Sequence, residues 1–284
     1  MVLGMRVKRY SVAALAFVLL LLLSGLNEGS SEENPAKGRV EATYRVDWAG
    51  MNLGEFRLNA EFKGSAYKMK AQGDFSVLAG LVYRASGTTT STGKMTRLGP
   101  EPSRYTLTYK GGDKKETRRM DFNGGGAIKV SITPKKKQNP LKRVPVTREQ
   151  LENALDPLTA AFLYARYNGP RGDLKVCHQT VPVFDGKQRF DIVLTPKRAD
   201  RLDATKGPVG LSGLVAVCQV KFKPIGGYRP DHPGIKFMSE TDEIEVWLVP
   251  LPRTPLYVPY QIFVPTAWGG GSVTLTEIKM NIDG

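Results

Sequence analysis

Cysteine and histidine are scarce: Cys177, Cys218, His178 and His232 are the whole supply. With no C-x-x-C pair, the usual clustered metal-ligand patterns are missing. Enzyme signatures are missing as well: there is no G-x-S-x-G, no H-E-x-x-H and no phosphate-binding glycine loop. Gly269-Gly270-Gly271 is not followed by a helical pattern, so it reads as a hairpin turn rather than a phosphate cradle. Acidic residues are in deficit, 27 Asp and Glu against 41 Lys and Arg, for a formal charge of +14. That balance favours anionic partners such as lipid headgroups or acidic polymers. No catalytic residue, metal or cofactor is expected.

One long apolar run is present. Arg6, Lys8 and Arg9 precede SVAALAFVLLLLLSGL at 11–26, the charged and apolar parts of an export signal. The run is shorter than the ~20 residues of a spanning helix. Residues 1–29 are therefore expected to be a signal peptide, with an uncleaved anchor through residues 10–26 as the alternative. No cysteine lies near residues 20–30, which argues against a lipid-modified precursor. Either way the remainder is expected outside the cytoplasm, in the periplasm, and nucleic acid falls away as a partner. Residues 30–38 read as a disordered polar linker, and 39–284 as a single β-rich domain.

From Arg39 the pattern has period two. Val40, Ala42, Tyr44, Val46 and Trp48 alternate with mostly polar residues, as do Phe56, Leu58, Ala60 and Phe62. Similar runs carry Tyr67 and Met69, Tyr105 to Tyr109, Ile128 to Ile132, Phe190 to Leu194, Leu214 to Phe222, Ile244 to Leu248 and Tyr260 to Val264. One convincing helix interrupts them, near 156–167, with Asp156 as cap and Pro157 at its first position. Thr147 and Gln150 fit a capping box ahead of it. The expected fold is mainly β: a large curved antiparallel sheet or half-barrel of about ten to twelve strands, with one main α-helix packed on it.

If the segments around Cys177 and Cys218 are both strands, parity points both thiols at the apolar face, positioned for a disulfide in an exported protein. Buried free thiols, or a catalytic or metal role, are the alternatives. Closing a loop of about 40 residues would contribute about 4 kcal/mol. Asp185-Gly186 within VFDGKQRF reads as a hairpin turn; a polar site of Asp185, Arg189 and Asp191 is the alternative. In SETDEIEVW, Glu243 and Glu245 alternate with Ile244 and Val246, the solvent face of a strand rather than a carboxylate pair.

YRVDWAGMNLGEFRL, DPLTAAF, VFDGKQRFDI, VCQVKFKPIGGY and VPYQIFVPTAWG occur in that order. On these the chain resembles the bacterial exported proteins grouped as domain of unknown function 3108, over roughly residues 40–280. In outline it is also similar to periplasmic lipoprotein-carrier folds, in which a curved sheet wraps a helix. The resemblance implies no chemistry.

Two candidate binding regions follow. The apolar stretch FSVLAGLVY, through Phe75, Val77, Leu78, Leu81 and Tyr83, would border a cleft for a lipid or other apolar ligand between sheet and helix. Its alternative is a buried strand bulged at Ala79-Gly80. The basic segment carrying Lys135, Lys136, Lys137, Lys142 and Arg143, with KPIGGYRPDHPG at 223–234, would contact an anionic polymer or protein partner; a solvated loop is the alternative. The expected function is a non-catalytic envelope protein binding an apolar ligand. A structural or interaction protein without a small ligand, and an unrecognised hydrolase, are the other readings.

Overall fold

The structure, a computed structural model, describes residues 37–77, 83–124, 128–135, 142–165, 170, 172–203, 211–265 and 269–283. Seven consecutive strands form an antiparallel meander: β1 (Lys37–Trp48), β2 (Met51–Lys63), β3 (Ala66–Val77), β4 (Tyr83–Thr96), β5 (Gly99–Gly111), β6 (Lys114–Phe122) and β7 (Ile128–Thr133). Six more follow β8 (Leu163–Tyr164): β9 (Gln179–Phe184), β10 (Arg189–Leu202), β11 (Gly213–Gly226), β12 (Ile244–Pro250), β13 (Leu256–Val264) and β14 (Gly271–Asp283). The last strand pairs with the first, so one 14-stranded sheet runs in the order β7-β6-β5-β4-β3-β2-β1-β14-β13-β12-β11-β10-β9, with β8 set against β13. The path is open. The turns β1–β2, β3–β4, β5–β6, β9–β10 and β13–β14 all fall at one end, called here the upper end.

Fourteen strands replace the expected ten to twelve. The clearest omission is β4, YRASGTTTSTGKMT, whose inward positions are Ala85, Gly87, Thr89 and Ser91 rather than large apolar residues. A strand with small and polar groups on both faces gives no hydrophobic alternation to read. The polar linker also ends earlier than expected, since β1 begins at Lys37.

The helix is shorter than expected. Asp156 caps it and Pro157 opens it, but α1 spans only Pro157–Ala160. Leu163 and Tyr164 then leave helical geometry to pair with Tyr257 and Leu256; tertiary pairing overrides local propensity here. The Thr147–Gln150 box is present, with Thr147 N–H donating to Gln150 Oε1 and Gln150 N–H to Thr147 Oγ1, ahead of a 3-10 turn at Glu149–Leu151. A second helix, α2 (Pro233–Glu240), stands where a loop was expected; His232 Nδ1 accepts from Gly234 N–H and Pro233 occupies the first turn.

Two cores share the sheet. Val40, Ala42, Tyr44, Leu58, Ala60, Phe62, Met69, Tyr105, Met120 and Leu275 build the first, and the 154–162 segment is packed into it through Ala154, Leu158 and Phe162. Phe162 meets Phe62 edge-on at 6.3 Å between ring centroids. Val176, Cys177, Val183, Ala216, Cys218, Val220 and Val246 build the second. Both faces of β11 are therefore buried, Val215 in one core and its neighbour Ala216 in the other. Bulges in β1–β14, β12–β13 and β10–β11 bend the sheet around these contents.

Candidate functional site

The inner face of the meander can be followed row by row from the strand register. At mid-height Val40, Ala60, Met69, Ser91, Tyr105 and Met120 lie opposite one another in sequence across β1–β6, and all are buried. This row carries a polar anchor. Asp156 Oδ1 accepts from Leu158 N–H and Thr159 N–H, and Oδ2 accepts from the Ser91 hydroxyl at 2.8 Å and the Thr159 hydroxyl at 2.6 Å. Tyr67 and Thr159 hydroxyls meet at 3.0 Å. Burial holds the Asp156 carboxyl above the usual carboxylate range, although its four donors pull the other way. Burial likewise pushes Tyr105 up to about 12. With every oxygen of Asp156 engaged, the anchor fixes the inserted segment rather than offering a reactive group. The concavity that a sheet-and-helix groove would use is filled at this level by Leu158 and Phe162.

Towards the upper end the filling stops. The next inward row but one is Tyr44, Phe56, Gly73, Gly87, Tyr109 and Glu116, and from Phe56 onwards its members are only half-buried. Tyr44 stacks on Phe56 at 4.9 Å and donates to the Pro259 carbonyl at 3.0 Å. Gly73 and Gly87 are directly paired. A Cβ on Gly73 would lie 2.6 Å from Phe56 Cβ and 3.0 Å from Phe75 Cζ, so the two rings close over it. A Cβ on Gly87 would meet only the Thr108 carbonyl oxygen, at 3.5 Å. The space over Gly87 is thus open, a gap in a half-buried row, called here the hollow. Between this row and the buried one, Thr89 carries a buried hydroxyl that lies close enough to the Tyr105 hydroxyl to lower its pKa against the effect of burial.

The hollow has two flanks. On one, the register row Val46, Gly54, Phe75 leads to a cavity of about 250 Å³ lined by Val46, Trp48, Leu53, Ile262, Val264 and Val273 among others. On the other, Glu116 accepts from Lys187 Nζ at 2.6 Å and Arg118 Nε at 2.6 Å, while Arg118 also reaches Asp185 Oδ2 at 3.2 Å. These four side chains join β6 to the β9–β10 turn, bridging the two ends of the open sheet. Burial pushes the Glu116 carboxyl up, but the bonds from Lys187 and Arg118 outweigh this and its net shift is downward. A larger hollow, about 550 Å³, lies at the opposite end, lined by charged Lys37, Arg39, Glu61 and Lys63 together with Phe62 among others.

Of the residues singled out from the sequence, Phe75 sits at the hollow. Val77 and Tyr83 close the two strands that lead into the β3–β4 turn at the upper end; Leu78 and Leu81 lie outside the described residues. Lys135 and Lys142 are exposed, Lys136 and Lys137 lie outside the described residues, and Arg143 donates to the Gly227 carbonyl, tying its loop to the body. Cys177 and Cys218 form a disulfide, with Cα atoms 5.4 Å apart. Cys177, however, lies in a 3-10 turn, Leu174–Cys177, capped by Asp173, not on a strand; only Cys218 follows strand parity. Asp185 shapes the hairpin by accepting from Lys187 N–H and Gln188 N–H, and Gly186 takes φ +88°. Arg189 pairs with Asp191 while Asp185 turns to Arg118, so the three do not form one site. Glu245 pairs with Lys197 and Arg198 on the face opposite buried Ile244 and Val246. Gly73, Gly87 and Thr89 were missed, because their alignment exists only once β3, β4 and β5 are paired.

The family model described as protein of unknown function (DUF3108) matches residues 43–276. No curated protein matches the chain. Among solved structures, a crystal structure of a beta-barrel-like protein of domain of unknown function DUF1849 from Brucella abortus is similar at 9% identity, with a TM-score of 0.47, covering 87% of this chain and 98% of that one.

Proposed function

The chain belongs to the DUF3108 family, and on that premise we propose that it is a non-catalytic envelope protein holding a lipid or other apolar ligand at the upper end of its sheet. The observation that carries the reading is the space over Gly87. The mid-height row of this face is fully buried, whereas at Gly87, directly opposite half-buried Tyr109, the space is open. Apolar pockets with a few polar groups are the common form of small-molecule sites. The signal-like segment at 11–26 supports action in the periplasm, and Phe75 opens the apolar run FSVLAGLVY in the sequence.

A fluorescent fatty-acid probe tests this. Saturable binding is expected with the wild type, and Gly87→Phe should weaken it at least tenfold while leaving the melting temperature within a few degrees. Leu81→Asp, within the apolar run FSVLAGLVY, should weaken it without unfolding. Equal binding by all three proteins would overturn the assignment.

A further inference from the structure

We infer that the outer face of β3–β7 is a docking surface for an anionic polysaccharide. This face is independent of the hollow, being the opposite side of the same strands. Its rows are fixed by register. Gln72, Thr88, Thr108, Thr117 and Thr133 stand opposite one another in sequence, and the next row is Lys70, Thr90, Thr106, Arg119 and Ser131. A third row begins with Lys68 and Thr92 and ends with Arg104, Asp121 and Lys129. No apolar side chain interrupts these three rows.

The charges here do not cancel. On the neighbouring β1–β2 face they do: Arg39 pairs with Glu61 at 2.7 Å and Arg45 with Asp47 at 2.8 Å. On β3–β7 Asp121 serves both Arg104 and Arg119, and the register adds only Asp74 and Glu101 as further carboxylates of these strands' outer face. Lys68, Lys70 and Lys129 are exposed and make no ion pair among the described residues. Lys110 and Lys115 stand directly opposite each other across β5 and β6, both exposed, an arrangement that destabilises a sheet. A polyanion laid across the strands relieves that repulsion.

The chemistry of the face selects the kind of polyanion. Strands about 4.8 Å apart present hydroxyls in rows, suited to hydrogen bonding with sugar hydroxyls. An anionic bilayer is a poorer match, since no apolar or aromatic side chain in these rows can enter the acyl boundary. A nucleic-acid strand lacks the aromatic platforms on which bases stack. The basic segment at 135–143 was the sequence's candidate for such a contact; the sheet offers a broader and more regular one.

The test uses immobilised polygalacturonate as the anionic polysaccharide, neutral dextran as control, and phosphatidylglycerol vesicles as the competing surface. The wild type should bind polygalacturonate, weaken steeply between about 50 and 200 mM salt, and ignore dextran. The triple variant Lys68→Gln, Lys70→Gln, Lys129→Gln should bind at least tenfold more weakly, whereas Arg39→Gln with Arg45→Gln should change binding less than twofold. Lys110→Gln should raise the melting temperature of the free protein and reduce the further rise on adding polygalacturonate. Equal binding by the wild type and the triple variant, or tighter binding to the vesicles than to the polysaccharide, would overturn the inference.

Discussion

Gly73 and Gly87 face each other across β3 and β4, yet a side chain is forbidden at one and admitted at the other. Around Gly73 a Cβ would strike Phe56 Cβ at 2.6 Å and the Glu55 carbonyl oxygen at 2.9 Å; around Gly87 it would strike nothing closer than 3.5 Å. Gly73 lets two rings close, and Gly87 leaves a hollow open. Gly73→Ala is expected to destabilise the protein by about 1–3 kcal/mol through overpacking. Gly87→Ala should stay within about 0.5 kcal/mol of the wild type. Urea unfolding of the two variants checks the contrast, and equal losses would mean that the space over Gly87 is not there.

The disulfide clips the 3-10 turn at Leu174–Cys177 to the middle of β11, with both sulfurs in the second core. Replacing both cysteines, Cys177→Ala with Cys218→Ala, should cost about 2–5 kcal/mol. Reductant should lower the melting temperature of the wild type and leave the variant unchanged. A variant as stable as the wild type would show that the second core holds the turn by packing alone.

Asp156 gives stability a pH dependence of an uncommon sign. Its pKa is raised in the folded state, chiefly by burial. Its contribution is therefore fully present below the ordinary carboxylate value and is lost as pH rises through the folded pKa. Asp156→Asn keeps an acceptor for the Leu158 and Thr159 N–H groups and should remove this dependence. Asp156→Ala leaves the buried Leu158 and Thr159 N–H groups without the cap that accepts from them and should cost about 1–3 kcal/mol. Urea midpoints collected from about pH 4 upward separate the two; an unchanged pH profile in Asp156→Asn would contradict the assignment.

Glu116 works in the opposite direction. Its net downward shift means that its contribution is present above the ordinary carboxylate range and is lost as pH falls through the folded pKa. Glu116→Gln or Lys187→Met should cost about 1–3 kcal/mol and loosen the seam between β6 and the β9–β10 turn. Amide hydrogen exchange should rise first in β6, β7 and β9. Protection unchanged in those strands would show that the two ends of the sheet are held together by the inserted segment rather than by this cluster.

Much of the fold was legible from residue pattern. Val40, Ala42 and Tyr44 alternate and are buried, and Asp156-Pro157 marks a helix start that the structure contains. What was illegible has physical causes. Cys177 followed Val181 and Val183 in parity, but Asp173 caps a 3-10 turn that includes the cysteine, and the strand begins only at Gln179. His232-Pro233 carried the same proline signal as Asp156-Pro157, with a histidine in place of the acidic cap, and α2 was read as loop. Along the helix expected to 167, Leu163 and Tyr164 were claimed by β13. Phe75 is legible as a candidate because it is apolar and lies beside an apolar run. Gly87 and Thr89, at the floor of the hollow, sit in a run of threonines that signals nothing until the register aligns them with Gly73, Leu107 and Tyr109.

Native mass spectrometry tests the central claim most directly. The protein is isolated from the cell envelope without strong detergent, as wild type and as Gly87→Leu, and both are weighed intact and after denaturation. The wild type is expected to carry an adduct of lipid size that disappears on denaturation, and Gly87→Leu to fly bare at the same charge states. An adduct retained equally by both proteins would place the ligand elsewhere. A bare wild type, from cells and after incubation with extracted lipid, would contradict an apolar-ligand function for the upper end of the sheet.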